Sequence, residues 1–216
     1  MAVTVLESAT LGEGWLLAAR KILTAGALAT YDGEATRELA LLTLAVERPS
    51  SDDAVIAQLG DADWLEWMHE NFFVQKGVAE LGGAQSYAIR LFNYDHTGRD
   101  QIAWVVQRLR GEPASRSATI TTFQPLTDTT YVPCVSILDF WLPSGALELV
   151  VYAHSLDFGK KAYGNLVELA RLQEYVAEAI GGPCGRLIVH AKSAHVYEPE
   201  WALMARLADA AAEVSA

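Results

Sequence analysis

Cysteine is scarce in this sequence: Cys134 and Cys184 are the only two, and they stand in unlike surroundings. Two such residues make no disulfide framework, and with five histidines they offer little from which to build a zinc site, so no metal is expected. Basic residues are also few. Sixteen Lys and Arg against 27 Asp and Glu give a net charge of -11, and such a surface repels phosphate polymers and anionic membranes. A nucleic-acid polymer and a membrane are therefore not expected as partners, whereas a small anion in a local basic pocket is compatible with this charge. No apolar run approaches membrane length, and the first residues, MAVTVLESATLGEG, carry Glu7 and Glu13 where a signal peptide would carry basic residues. A cytoplasmic location is the expectation. There is no Gly-rich phosphate loop, internal repeat, low-complexity tract or obvious linker, so residues 1–216 are expected to form a single domain.

What is present is apolar side chain, 51% of the residues, which suffices for a substantial core. Its spacing predicts a helix over residues 14–29, a turn at Tyr31-Asp32-Gly33 and a strand from Leu39 to Val46, stopped by Arg48-Pro49. Ser51-Asp52-Asp53 reads as the cap of a helical segment running towards Glu70, and residues 100–110 as an amphipathic helix. Three apolar runs separated by turns, Ser117–Phe123, Val132–Trp141 and Leu147–Tyr152, read as strands suited to a sheet buried on both faces. A long helix from Asn165 to Ile180 ends at Gly181-Gly182-Pro183, a strand covers Leu187–Ala191, and a helix closes the chain from Glu200 to Val214. Helices and strands alternate irregularly. That pattern predicts an α/β (α+β) fold with one large mixed sheet and flanking helices.

Three short stretches say more than periodicity does. Val132-Pro133-Cys134 resembles the Pro-Cys at the nucleophile of thymidylate synthases. Ser155, Asp157 and Asn165, in HSLDFGKKAYGN, are similar to that family's Arg-Ser-x-Asp followed at the same eight-residue step by Asn. His195-Val196-Tyr197 resembles its His-x-Tyr. Weaker echoes precede these in the family's order: an N-terminal helix followed by Thr36-Arg37, Trp64-Leu65-Glu66-Trp67, Ser86-Tyr87-Ala88, Asp100-Gln101-Ile102 and Pro113-x-Ser115-Arg116. The resemblance spans nearly the whole chain, is densest from 100 to 197, and is nearest to the compact microbial branch of the family.

The resemblance implies a homodimer with sheets packed face to face, and transfer of a one-carbon unit from 5,10-methylenetetrahydrofolate to C5 of a uracil-like pyrimidine. C5 of such a ring is a poor nucleophile unaided. A thiolate adding at C6 gives C5 enolate character, so one hard step becomes two easier ones. Cys134 is the candidate nucleophile, and a thiol of ordinary pKa, about 8.5, needs nearby positive charge to ionise at neutral pH. Cys184 reads as structural. The Asn165 amide can donate and accept, matching the C4 carbonyl and N3–H of a uracil-type ring; its alternative is a helix N-cap. By resemblance Asp157 hydrogen-bonds the pterin of the folate, and His195 and Tyr197 meet the ribose hydroxyl. Trp64 and Trp67 pack either the pterin or the core.

The pattern breaks in two places. The family's Arg before Ser155 is His154 here, and its consecutive arginines are Ser115-Arg116-Ser117. In the family these arginines clamp the nucleotide phosphate, one pair reaching across the dimer; Arg37 and Arg116 remain for that task. The family's catalytic Glu has no secure match between 50 and 70, the tail AAAEVSA lacks its closing sequence, and Lys160 and Lys161 have no assigned place. The reading favoured is a base, nucleoside or related ring, ahead of a more weakly held nucleotide. A folate- or nucleotide-binding homologue without catalysis is the alternative. Methyl or hydroxymethyl product depends on how well water is excluded, and the missing tail and arginines tilt the expectation slightly to hydroxymethyl.

Overall fold

A computed structural model describes residues 3–214, with side chains through Ala210, so most of the alanine-rich tail lies outside the described side chains. β1 (Thr4–Ser8) leads into α1 (Leu11–Ala25). This helix starts three residues before the spacing suggested, because Thr10 accepts from the Glu13 N–H at 3.3 Å while the Glu13 carboxylate reaches back to the Ala9 N–H at 2.8 Å. It stops at Gly26, where a Cβ would sit 2.4 Å from the Ile22 carbonyl. Residues 27–29, expected to be helical, instead begin β2 (Ala27–Tyr31), which turns at Asp32-Gly33 into β3 (Glu34–Val46).

The helical segment expected to run to Glu70 is two helices, α2 (Ala54–Leu59) and α3 (Ala62–Phe73). Asp53 caps the first and Asp61 the second, each accepting two backbone N–H groups, so the path restarts at Gly60. A small hairpin, β4 (Gly77–Val78) and β5 (Ala84–Gln85), precedes α4 (Tyr87–Phe92) and α5 (Gln101–Gly111). β6 (Ala118–Thr121), β7 (Val135–Trp141), β8 (Leu147–Ala153) and the short β9 (Leu156–Asp157) follow. α6 (Ala162–Ile180), β10 (Cys184–Tyr197) and α7 (Trp201–Val214) complete the order.

Eight of these strands form one mixed sheet, in the order β1-β3-β10-β8-β7-β6, with β2 beside β3 and β9 beside β10. One face carries Leu42, Leu44, Leu138, Phe140, Leu149, Val151, Leu187 and Val189, all buried against α1, α5 and α6. Among the described residues no helix packs on the other face. Ile137, Trp141 and Tyr152 remain 42%, 41% and 41% exposed there, so within the chain the 117–152 strands are covered on one side only, not on both.

β10 is much longer than Leu187–Ala191, and its alternation slips midway. Leu187, Val189 and Ala191 point into the core, then Ala194 and Val196 do. The slip lies opposite Leu41 of β3, whose φ of 58° is left-handed and unusual for a branched residue. It turns His195 and Tyr197 away from the helix-packed core.

Candidate active site

Cys134 is the residue just before β7, fixed by its neighbours' backbone. Its carbonyl accepts from the His154 N–H at 3.0 Å, the next N–H, that of Val135, donates to the Tyr87 hydroxyl at 3.0 Å, and the Ser136 hydroxyl donates to the Pro133 carbonyl at 3.1 Å. The loop leading to it is held by buried Arg90, which forks onto Asp128 at 2.7 and 2.8 Å and donates to the Thr122 carbonyl at 2.7 Å. Burial pushes the Cys134 thiol above its ordinary pKa, the Lys161 ammonium opposes that, and the Asp157 carboxylate adds to it. Two phenols sit close enough to feel the thiol's charge. Burial raises both Tyr87 and Tyr131, so at neutral pH they keep their protons.

Asp157 lies in β9 beside His195 of β10. Its Oδ1 accepts from the Gly159 N–H at 3.0 Å, and burial pushes its pKa up to about 6, opposed by that N–H and by the Lys161 and Lys160 ammoniums. The His195 and Tyr197 rings meet edge to face at 5.1 Å. Burial lowers the His195 pKa; Tyr197 is pushed up to about 12 by burial and then by the Asp157 carboxylate.

Asn165 is not a cap. α6 begins three residues earlier than expected, with Lys161 at the cap position and Asn165 one turn inside, where its Nδ2 donates to the Lys161 carbonyl at 3.0 Å. Its Oδ1 is buried and has no partner among the described residues. Trp64 and Trp67, on α3, pack edge to face at 5.4 Å, with the Lys161 ammonium 5.5 Å from one ring centre and 5.8 Å from the other. Lys160 approaches Trp64 at 4.9 Å.

The chain thus gathers Cys134, Asp157, Asn165, His195, Tyr197 and the indoles of Trp64 and Trp67, with His154 and Ser155 on the strand end beside them. It also brings in Lys161 and Tyr87, which sequence reasoning left without a role. Two further expected ligands lie elsewhere within the chain. Arg37 donates to the Gly26 carbonyl at 3.3 Å and lies 5.7 Å from the Trp201 ring. Arg116 is exposed beside Asp139, Trp141 and Val150, at the far end of β7 from Cys134, roughly 20 Å away at the usual rise per residue. The His154 ring turns to the Val132 carbonyl at 3.2 Å.

The acids of the 50–70 stretch are engaged elsewhere or exposed. Asp53 caps α2 and accepts from the Gly12 N–H, Asp61 caps α3, Glu66 is exposed and Glu70 pairs with Lys76. The carboxylate whose charge reaches the thiol is Asp157. A hollow of about 510 Å³ opens on the Ile137 face of the sheet between Gln101, Thr119, Phe123, Tyr152, Val132 and His154. Its last two wall residues flank Cys134, but the thiol is not in its wall; the hollow is a neighbour of the chemistry, not its seat.

The sequence profile of the thymidylate synthase family matches residues 44–211, a stretch that holds every gathered residue. A protein of Methanosarcina acetivorans, provisionally named a thymidylate synthase, is 31% identical over 202 residues, covering 91% of each chain. One from Methanosarcina barkeri with the same provisional name is 29% identical over 200 residues, again 91% of each. A third, from Methanopyrus kandleri, is 38% identical over 125 residues, 56% of this chain and 59% of its own.

Proposed function

The chain belongs to the thymidylate synthase family, and from that premise we propose that it moves a methyl or hydroxymethyl group from 5,10-methylenetetrahydrofolate to C5 of a uracil-like pyrimidine, with Cys134 as nucleophile. The observation that carries this reading is that separate elements meet here: the Asp157 carboxylate and the Lys161 ammonium both bear on the Cys134 thiol, and Asn165, bonded to the Lys161 carbonyl, keeps a buried oxygen with no partner among the described residues.

Cys134 as thiolate adds to C6 of the ring and leaves again once C5 has been substituted. Asn165 Oδ1 accepts the ring N3–H, which gives a buried acceptor the partner it lacks, and Nδ2 keeps a second hydrogen for the C4 carbonyl. Tyr87 and Tyr131, held protonated, serve as donors beside the sulfur. His195 and Tyr197 border the sugar side. When bound, methylenetetrahydrofolate supplies the one-carbon unit, and a hydride as well if the product is methyl. Trp64 and Trp67 offer indole surface to its pterin, and Asp157 an acceptor oxygen beyond the one bonded to Gly159, so the residues present fit the group.

The substrate we favour carries no phosphate, because the Arg37 guanidinium is taken up by the Gly26 carbonyl and the Trp201 ring, the His154 ring turns to the Val132 carbonyl, and Arg116 would reach a Cys134 site only across a dimer. The protein is further proposed to be a homodimer through the helix-free sheet face, a second copy covering Ile137, Trp141 and Tyr152. The test is a panel of uracil, uridine and the uridine monophosphates with methylenetetrahydrofolate, products read by mass and dihydrofolate by absorbance. Cys134→Ser should lose at least about a thousandfold in turnover while still binding ligand, and Cys184→Ser should be nearly silent. Ligand binding without turnover in the unaltered protein would leave the non-catalytic homologue as the reading.

A further inference from the structure

We propose that Glu38 sets the substrate class of this site: its carboxylate, standing next to His195 on the sheet, accepts the hydroxyl groups of an unphosphorylated sugar carried by the ring and disfavours a sugar phosphate. This rests on the reading of His195 and Tyr197 as the sugar side of a pyrimidine site.

The placement follows from strand register. Where β3 runs antiparallel to β10, Glu38 lies opposite His195, Thr36 opposite Tyr197 and Arg37 opposite Val196. Directly opposed residues of such a pair share a face, with Cβ atoms about 4.5–5.5 Å apart. Alternation therefore sets Glu38 with His195 and Tyr197. It sends Arg37 with the buried Val196 to the other face, where the guanidinium lies 5.7 Å from the Trp201 ring. The sequence offers an arginine for the substrate at this point; the strand presents the acid that follows it. On the far side of His195, β9 runs parallel and places Asp157 as its partner. One row across β3, β10 and β9 thus reads Glu38, His195, Asp157, all three half-buried.

The chemistry of this row suits hydroxyl groups. Glu38 forms no ion pair among the described residues, and a carboxylate can accept two neighbouring hydroxyls at once. His195 Nδ1 lies 3.4 Å from Ser193 Oγ, which leaves Nε2 for a ligand, and Asp157 holds the Gly159 N–H at 3.0 Å. A phosphate fits poorly. It would add negative charge to a row that already has two carboxylates, and unpaired like charge discriminates against such a partner. The hairpin that continues β3 beyond Thr36 carries two more acids, Asp32 and Glu34. Lys160 and Lys161, the basic pair that follows Asp157 in the chain, rest against the Trp64 and Trp67 indoles of α3.

Calorimetric titration of the full chain with uracil, uridine and uridine 5′-monophosphate tests this without folate or turnover. The unaltered protein should bind uridine at least as tightly as the monophosphate. Glu38→Gln keeps the size of the side chain and removes its charge. It should weaken uridine by about tenfold, the loss of a charge-assisted hydrogen bond, leave uracil unchanged, and raise the affinity of the monophosphate relative to uridine. Should Glu38→Gln disturb the fold by circular dichroism, Glu38→Thr, a residue at home in a strand, takes its place. A clear preference of the unaltered protein for the monophosphate overturns the proposal, since Lys160, Lys161 or another cation would then be holding the phosphate. So does an equal change for all three ligands in Glu38→Gln, which would make Glu38 a structural residue of the strand. If none of the three binds, the pyrimidine reading itself falls and takes the proposal with it, so the two failures are distinguishable.

Discussion

The side-chain amide of Asn165 donates to the Lys161 carbonyl at 3.0 Å, which leaves Asn165 Oδ1 buried and unpaired. An unsatisfied buried acceptor costs about 1–3 kcal/mol, and a ring N–H removes that cost on binding. Asn165→Asp turns the donating atom into a second acceptor. The account expects kcat/KM for uracil-type rings to fall about tenfold or more, with relative gain for cytosine-type rings, whose amino group wants an acceptor. Equal losses on both ring types would show that Asn165 serves the helix and does not read the ring.

Asp157 gives a stability prediction with a definite sign. Burial lifts its carboxyl from 3.8 to about 6 in the folded chain, so between those values the folded state holds a proton that the unfolded state has released. Stability therefore falls as pH rises through that window, and the loss is complete above about pH 6. Asp157→Asn keeps an acceptor for the Gly159 N–H but carries no charge. It should be more stable than the unaltered protein by about 2–3 kcal/mol at neutral pH, with the difference vanishing near pH 4. Its folate-dependent turnover should be lost. Urea denaturation at both pH values checks the first claim, and parallel curves would contradict it.

His154 stands where the family places an arginine, and its ring faces the Val132 carbonyl at 3.2 Å. Arginine there would offer a permanently charged, forked donor set. His154→Arg should tighten binding of a uridine monophosphate by about tenfold, a typical charge-assisted gain, and leave the nucleoside unchanged. Calorimetric titration with both ligands reads this. If the unaltered protein already prefers the monophosphate strongly, the unphosphorylated substrate is wrong.

Ile137 lies on the helix-free face, in β7 between β8 and β6, and is 42% exposed in the chain. Buried against a second copy, a charge at this position would be left unpaired. Ile137→Glu should convert a dimer to a monomer in sedimentation velocity while keeping the far-ultraviolet spectrum. A monomeric unaltered protein would remove the dimer.

Much of the sheet was legible because β6, β7 and β8 are short apolar runs between turns, but such runs read as buried on both faces, and the openness of Ile137, Trp141 and Tyr152 was not legible in them. The motif residues Cys134, Asp157, Asn165, His195 and Tyr197 could be picked out by type and order. Other features are invisible along the chain. The split between α2 and α3 depends on Asp61 taking the N–H groups of Asp63 and Trp64, a local bond that competes with continued helix. The length of β10 was hidden by its slip near Lys192, where simple alternation fails. Lys160 and Lys161 had no assignable place along the chain; folding sets α3 against α6 and brings the Trp64 and Trp67 indoles to them. Arg37 and Arg116 show the reverse: they match a family pattern in order, yet lie away from the thiol in the protomer.

The central claim is a covalent bond between Cys134 and C6 of the pyrimidine, and its most direct measurement is the mass of the Cys134 peptide after reaction. A 5-fluoro uracil-type substrate cannot lose a proton from C5, so with methylenetetrahydrofolate the reaction should stop with ring and folate both attached. Digestion and mass spectrometry should then find their combined mass on the peptide bearing Cys134, none on the peptide bearing Cys184, and none in Cys134→Ser. Turnover of the unfluorinated ring with no adduct on Cys134 from the fluorinated one would contradict the account.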